Sequence, residues 1–154
     1  MNLPKEQDEI SLLLERAHEG ALATLEGGKP FVSAVGCLYV AGESGSETTP
    51  VSGQIYFLLS DLARHTKNIR KHPQVSMHVL EKGDAPAYER RRASAQGQIA
   101  EIRDREEFEN YKMRYLEMFP GGKIFFTLSD FHFFEIEIAE IYFVGGFGKI
   151  QSIR

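Results

Sequence analysis

The stretch FLLSDLARHTKNIRKHPQVSMHV, residues 57–79, leaves the chain little local choice. Its apolar opening, Phe57 to Leu59, closes a strand-like run, and Ser60 and Asp61 are both good helix N-cap residues. The next turns carry Arg64, His65, Lys67, Arg70, Lys71 and His72 with no acid among them. Pro73 stops a helix, and Val75, Met77 and Val79 alternate as in a strand. The stretch therefore predicts a strand, a tight turn, one short basic helix and a second strand. A helix N-terminus offers free backbone N–H groups at the positive end of its dipole. Arg and His at that end, just after a strand, make a cradle for a phosphate. A solvated basic helix face would carry the same charges, and on charge alone that is the stronger reading.

The cluster stands against an acidic background. Net charge is −4 over 154 residues, which argues against nonspecific binding to nucleic acid or anionic membranes. That length, with 42% hydrophobic residues, suits a single domain over 1–154 with a sizeable core. Cys37 is the sole cysteine, so an intramolecular disulfide and a cysteine metal cluster are excluded. With a polar, charged start from Met1 to Gln7 and no signal peptide in view, the expected location is cytoplasmic. No apolar run nears the roughly 20 residues of a membrane span.

Along the chain, Ile10, Leu13, Leu14 and Ala17 fall at helical spacing, so Pro4 to His18 should be an amphipathic helix ended by Gly20. His18, in its last turn, reads as a dipole partner rather than a ligand. Ala21 to Leu25 and Pro30 to Val40 read as a hairpin around Glu26-Gly27-Gly28-Lys29. Ser33 on the second strand would leave room for a ligand, although a plain strand serine fits as well. Ala41 to Gly53 should be a solvated loop, and Gln54 to Leu59 the third strand. Arg90, Arg91 and Arg92 open a long strand whose one face is Arg92, Ser94, Gln96 and Gln98. That polar face suits a charged ligand; its ordinary reading is an edge strand guarded by charge. Asp104 should cap a helix with the aromatic stripe Phe108, Tyr111, Tyr115 and Phe119, a packing surface for the core or a dimer. Phe131 to Ile138 is expected as a strand with one wet face, Ile141 to Val144 as another, and Lys149 to Ile153 as the last, after a turn at Gly145-Gly146-Phe147-Gly148. About seven strands with helices at the periphery predict a mainly β, closed antiparallel barrel.

The segments SDLARHTKNIRKHPQVS, RRRASAQG and FVGGFGKI together resemble the FMN-binding split β-barrel proteins related to pyridoxamine 5′-phosphate oxidase. Within that family they look like the haem-utilisation branch of the HugZ and HutZ type. The resemblance covers about Ala21 to Ile150. It implies an antiparallel split barrel, a homodimer with the flavin at the interface, and FMN as cofactor, with haem as the alternative. The oxidase's Ser-Arg-Lys phosphate segment falls on this chain so that its Arg is Arg64 and its Lys is His65. Ser60 lies at the same turn, with Lys67 and Asn68 a turn further on. A residue near the flavin ring falls on Arg92, and residues reaching across the dimer fall on Phe143 and Lys149, beside Gly145-Gly146. Together with Ser33, which the strand itself offers, the expected cofactor-binding set is Ser33, Ser60, Arg64, His65, Lys67 and Arg92.

The chain departs from the family pattern in two places. The oxidase's C-terminal arginine and histidine pattern is absent, so pyridoxamine phosphate oxidation is not expected. The haem-degrading relatives place an iron-binding histidine beyond GGFG, and this sequence has no histidine after His132, leaving His65, His72, His78 and His132 as candidate iron ligands. No Ser-His-Asp, Walker or zinc spacing suggests another reaction. Three functions follow: an FMN-dependent oxidoreductase on a small molecule, a haem-binding or haem-degrading protein, and a flavin-binding dimer without turnover.

Overall fold

The computed structural model describes residues 3–42 and 53–154. Its elements are α1 (Leu3–Arg16), β1 (Glu19–Glu26), β2 (Lys29–Gly36), β3 (Leu38–Ala41), β4 (Gly53–Ser60), α2 (Arg64–Lys71), β5 (Gln74–Leu80), β6 (Arg92–Glu101), α3 (Arg105–Met118), β7 (Phe131–Val144) and β8 (Ile150–Ile153). Short 3₁₀ segments lie at Ala87–Glu89 and Pro120–Thr127.

All strand pairs are antiparallel, in the order β2-β1-β5-β6-β7-β4-β3, with β8 on β7. The two ends of that order, β2 and β3, are separated in the chain by Cys37 alone. The sheet must therefore curl until its ends meet, which gives the mainly β barrel expected from the sequence. Cys37 is buried in this seam, where its backbone N–H donates to the His18 carbonyl at 3.0 Å and its thiol donates to the Ala17 carbonyl at 3.4 Å. Burial pushes the thiol up to about 12, so at neutral pH it is a packing group and not a nucleophile.

The inner face holds the main core. Ile10, Leu13 and Leu14 of α1 meet Leu22, Phe57, Met77, Ile136, Ile141 and Phe143 there. A second, smaller core forms outside β4 and β7, where Leu38, Tyr56, Ile102 and Phe133 are covered by Phe108, Tyr111, Tyr115 and Phe126. Hence β4 and β7 bury both faces at this end, and the aromatic stripe of α3 is used in packing within the chain. Asp104 caps α3 as expected, its carboxylate accepting the Glu107 N–H at 3.0 Å.

Several sequence expectations are corrected. Gly20 does not end α1 but lies inside β1, where a Cβ would sit 2.5 Å from the His78 carbonyl oxygen; glycine lets β5 approach. The expected strand Pro30 to Val40 breaks at Cys37. Phe131 to Val144 is one strand instead of two, because a bulge absorbs the change of alternation: Gln96 pairs with Glu140 and Gly97 with Ile138. Phe133 is buried beneath α3 instead of facing water. Eight strands are seen among the described residues, against about seven expected. The loop expected at 41–53 lies outside the described residues except at its ends.

Candidate functional site

The turn Glu26-Gly27-Gly28-Lys29 closes the β1–β2 hairpin, with both glycines at positive φ, 57° and 77°. Its register sets Thr24 opposite Phe31 and Leu22 opposite Ser33, so Thr24, Phe31 and Ser33 share one face. Onto that face packs α2. The Asn68 amide donates to the Thr24 hydroxyl at 3.0 Å, and Ser33 Oγ lies 3.0 Å from His65 Nδ1. The Arg64 guanidinium makes two bonds to the Glu26 carboxylate, at 2.6 and 2.9 Å, and lies over the Phe31 ring at 4.5 Å. A cavity of about 480 Å³ opens here, lined by Glu26, Gly27, Lys29, Pro30, Phe31 and Arg64.

This arrangement suits an anion. The N-cap of α2 is Ala63, not Ser60 or Asp61, and no side chain caps the helix. Its first-turn N–H groups thus have no side-chain acceptor. Thr66, fully buried in that turn, has a hydroxyl with no hydrogen-bond partner. Burial holds His65 below its ordinary 6.5, so at neutral pH it is a neutral imidazole that can donate one hydrogen bond. Arg64 is already paired with Glu26, which an incoming phosphate would have to displace. Both partners are solvent-exposed, at 65% and 41%, so that competition is weak. Lys29 and Phe31, which the sequence alone did not single out, follow from the hairpin register once the Gly-Gly turn is fixed.

The other sequence candidates lie elsewhere. The Ser60 hydroxyl donates to Asp130 at 2.6 Å and accepts the Leu62 N–H at 3.1 Å, bracing the turn before α2. Lys67 is exposed on the outer side of α2. Arg92 sits at the far end of the sheet. Arg64 is level with Glu26, whereas Arg92 pairs with Leu80, which runs level with Glu19. The two guanidinium-bearing positions are thus roughly 20 Å apart along the strands. Phe143 is buried in the core at 2% exposure, which corrects the expectation that it reaches across a dimer; Lys149 is exposed.

The candidate iron histidines are dispersed. Both ring nitrogens of His132 face carboxylates, Asp61 at 2.8 Å and Glu101 at 3.3 Å, within a network that includes Arg70 and Arg103. His72 is the exposed C-cap of α2. His78 faces outward with Nδ1 2.9 Å from Ser94 Oγ, and burial, then the nearby Arg92, holds it below its ordinary value. Among the described residues no group of three or more His, Cys, Asp or Glu could hold a bare metal ion.

The outer face of the sheet is unusual in composition. One transverse row reads Ala34, Ala21, His78, Ser94, Tyr142 and Ser152 across six strands. The next reads Val32, Ala23, Ser76, Gln96 and Glu140. Eleven outward positions carry one formal charge, Glu140, in a chain with 26% charged residues. Val32 is 60% exposed and Tyr142 43%.

A family model described as the CREG β-barrel matches residues 11–154. No curated protein matches the chain. Among solved structures, a heme binding protein from Mycobacterium smegmatis is 22% identical with a TM-score of 0.77, the match covering 95% of this chain and 56% of that one. HutZ from Vibrio cholerae, described as a heme storage protein, is 26% identical with a TM-score of 0.65, covering 90% and 91%. A FAD-binding protein from Mesorhizobium loti is 19% identical with a TM-score of 0.66, covering 86% and 87%. This chain therefore spans little more than half of the mycobacterial protein and most of the other two.

Proposed function

Since the chain belongs to the CREG β-barrel family, whose fold it shares with proteins described as binding heme and FAD, we propose that it is an FMN-binding homodimer of the pyridoxamine 5′-phosphate oxidase-like kind. Its activity would be that of an oxidoreductase on a small molecule. The observation that carries this reading is the meeting of Arg64, His65 and Ser33 at the uncapped start of α2, beside the unpartnered Thr66 hydroxyl. Arg64 would hold the phosphate through its planar fork, and Ser33 and His65 would supply hydroxyl and imidazole hydrogen bonds. The helix N-terminus adds favourable dipole charge. The bound flavin would supply the redox chemistry; the protein binds and orients it.

The charge-poor rows support the dimer, since the cores of interfaces are depleted in charge and enriched in residues such as tyrosine. No helix among the described residues is long and apolar enough to cross a membrane, and we place the dimer in the cytoplasm. The haem alternative has one observation in its favour: His78 is exposed on β5 within the first of these rows, and Nε2 of its ring makes no hydrogen bond with the described residues.

The test is titration of the purified protein with FMN and with haemin, followed by absorption. Flavin bands that persist through gel filtration and are released on denaturation support the proposal, and Arg64→Ala should then weaken FMN binding roughly 10- to 100-fold. A stoichiometric Soret band with no flavin uptake would replace FMN by haem. Unchanged flavin affinity in Arg64→Ala would remove the phosphate role.

A further inference from the structure

A second cavity, of about 320 Å³, opens between the end of α1 and the connection from β5 to β6. Leu12, Leu13, Ala17 and Leu80 make its apolar wall. Leu13 and Ala17 are buried, while Leu12 stays 37% exposed. Arg16, Glu19 and Lys82, all exposed, stand at the mouth with the half-buried Glu81 and Arg91. Glu81 is already committed: its carboxylate accepts the Arg91 backbone N–H at 3.1 Å and lies 3.3 Å from Arg91 Nε. Its own backbone N–H donates to the Arg91 carbonyl at 2.8 Å, and its carbonyl accepts from the Arg90 guanidinium at 3.0 Å. These contacts fix the base of the connection that forms one wall. Arg16 and Lys82, in contrast, make no ion pair with a described residue. The cavity is separate from the cradle: Glu19 opens β1 and Glu26, which lines the cradle, closes it, so the two lie roughly 20 Å apart.

An apolar pocket with unpaired cations at its mouth suits an amphipathic anion, whose hydrocarbon leaves water while its charged head stays beside the cations. Arg16 alone would be the ordinary basic partner of a helix C-terminus. Lys82 comes from another segment and has no such role. Of the groups not joined in the Glu81–Arg91 pair, Arg16 and Lys82 oppose only Glu19, in a chain whose net charge is −4. The end of α1 presented here is its negative dipole end, which with Glu19 favours a singly charged carboxylate over a phosphate dianion. We propose that this cavity binds a monocarboxylic acid with an apolar chain, its carboxylate between Arg16 and Lys82 and its chain against Leu12, Leu13, Ala17 and Leu80. At roughly 30 Å³ per water-sized group, the space takes about ten non-hydrogen atoms, the size of octanoate. Such a ligand touches α1 on one side and the barrel on the other, so its binding ties the helix to the sheet and raises the melting temperature.

The test is an NMR titration of the isotope-labelled protein with octanoate, with octanol and octylammonium as the neutral and cationic counterparts. Octanoate should shift amide resonances of residues 12–19 and 80–91 and leave those of 24–31 and 64–68 in place, with a dissociation constant of roughly 0.1–1 mM. From butanoate to octanoate each added methylene should tighten binding about threefold. Octanol should bind roughly fivefold more weakly, and octylammonium more weakly still. Arg16→Gln combined with Lys82→Gln should weaken octanoate by about the same factor and leave octanol unchanged. Both side chains are exposed, so the fold survives their replacement, which circular dichroism checks. Leu12→Asn should weaken octanoate and octanol alike. Equal binding of octanoate and octanol, with no effect of the double variant, overturns the carboxylate assignment. Tighter binding of octylammonium overturns it too, by giving the mouth to Glu19 and Glu81. Shifts confined to other parts of the molecule, or none at about ten times the expected dissociation constant, overturn the site.

Discussion

His65 and His78 are both held below the ordinary imidazole value of 6.5, His65 by burial and His78 by burial first and then Arg92. Each therefore binds a proton more readily in the unfolded chain than in the folded one. Their contribution to stability is complete above the unfolded value and is lost as pH falls towards the folded one. Thermal unfolding between about pH 5 and 7.5 should show melting temperature dropping on the acid side, and His65→Gln with His78→Gln should flatten that slope. A slope unchanged in the double variant would assign the acid sensitivity to other groups. The Arg64–Glu26 pair behaves differently, because both partners are exposed. Its removal should leave the melting temperature where it was, so the loss of ligand affinity expected for Arg64→Ala reads binding and not folding.

The bulge between β6 and β7 is where close approach is most demanding. A Cβ on Gly97 would lie 1.9 Å from the Glu137 carbonyl oxygen, whereas one on Gly121 meets nothing within 4 Å. Gly97→Ala should lower stability by about 3 kcal/mol or more, against little change for Gly121→Ala, measured by urea unfolding. The same bulge explains what could be read in advance. Alternation through Phe134, Ile136 and Ile138 resumes at Ile141 and Phe143 with one residue too many, which looks in sequence like the end of a strand. Only the pairing with β6 shows that Ala139 is absorbed and the strand continues. The hairpin, the basic helix, the Asp104 cap and the aromatic stripe were legible because each depends on contacts within a few residues. The Ala63 N-cap was not, since Ser60 and Asp61 turn instead to Asp130, Arg70 and His132, distant in sequence. Nor was Phe143: its turn to the core or to the surface depends on which side of the bulge it follows. At the site, the Ser33–His65 meeting was half legible, both residues having been picked out but their contact depending on how α2 lies across the hairpin.

For the whole molecule, the charge-poor rows make a claim about assembly. Gel filtration with light scattering should give a dimer, and Ala21→Glu, which sets a charge within the first row, should give a monomer with an unchanged circular dichroism spectrum. A wild-type monomer would remove the shared cofactor site along with the dimer. Strand β7 has a further consequence. It is the only described strand with three partners, β4, β6 and β8, and its pairing with β4 joins Ile55 to Ile136. While the chain is being synthesised, one edge of β4 and one edge of β6 stay without a neighbour until Phe131–Val144 leaves the ribosome. Once β6 has emerged the nascent protein carries two open strand edges, and the sheet closes only when β7 enters between them.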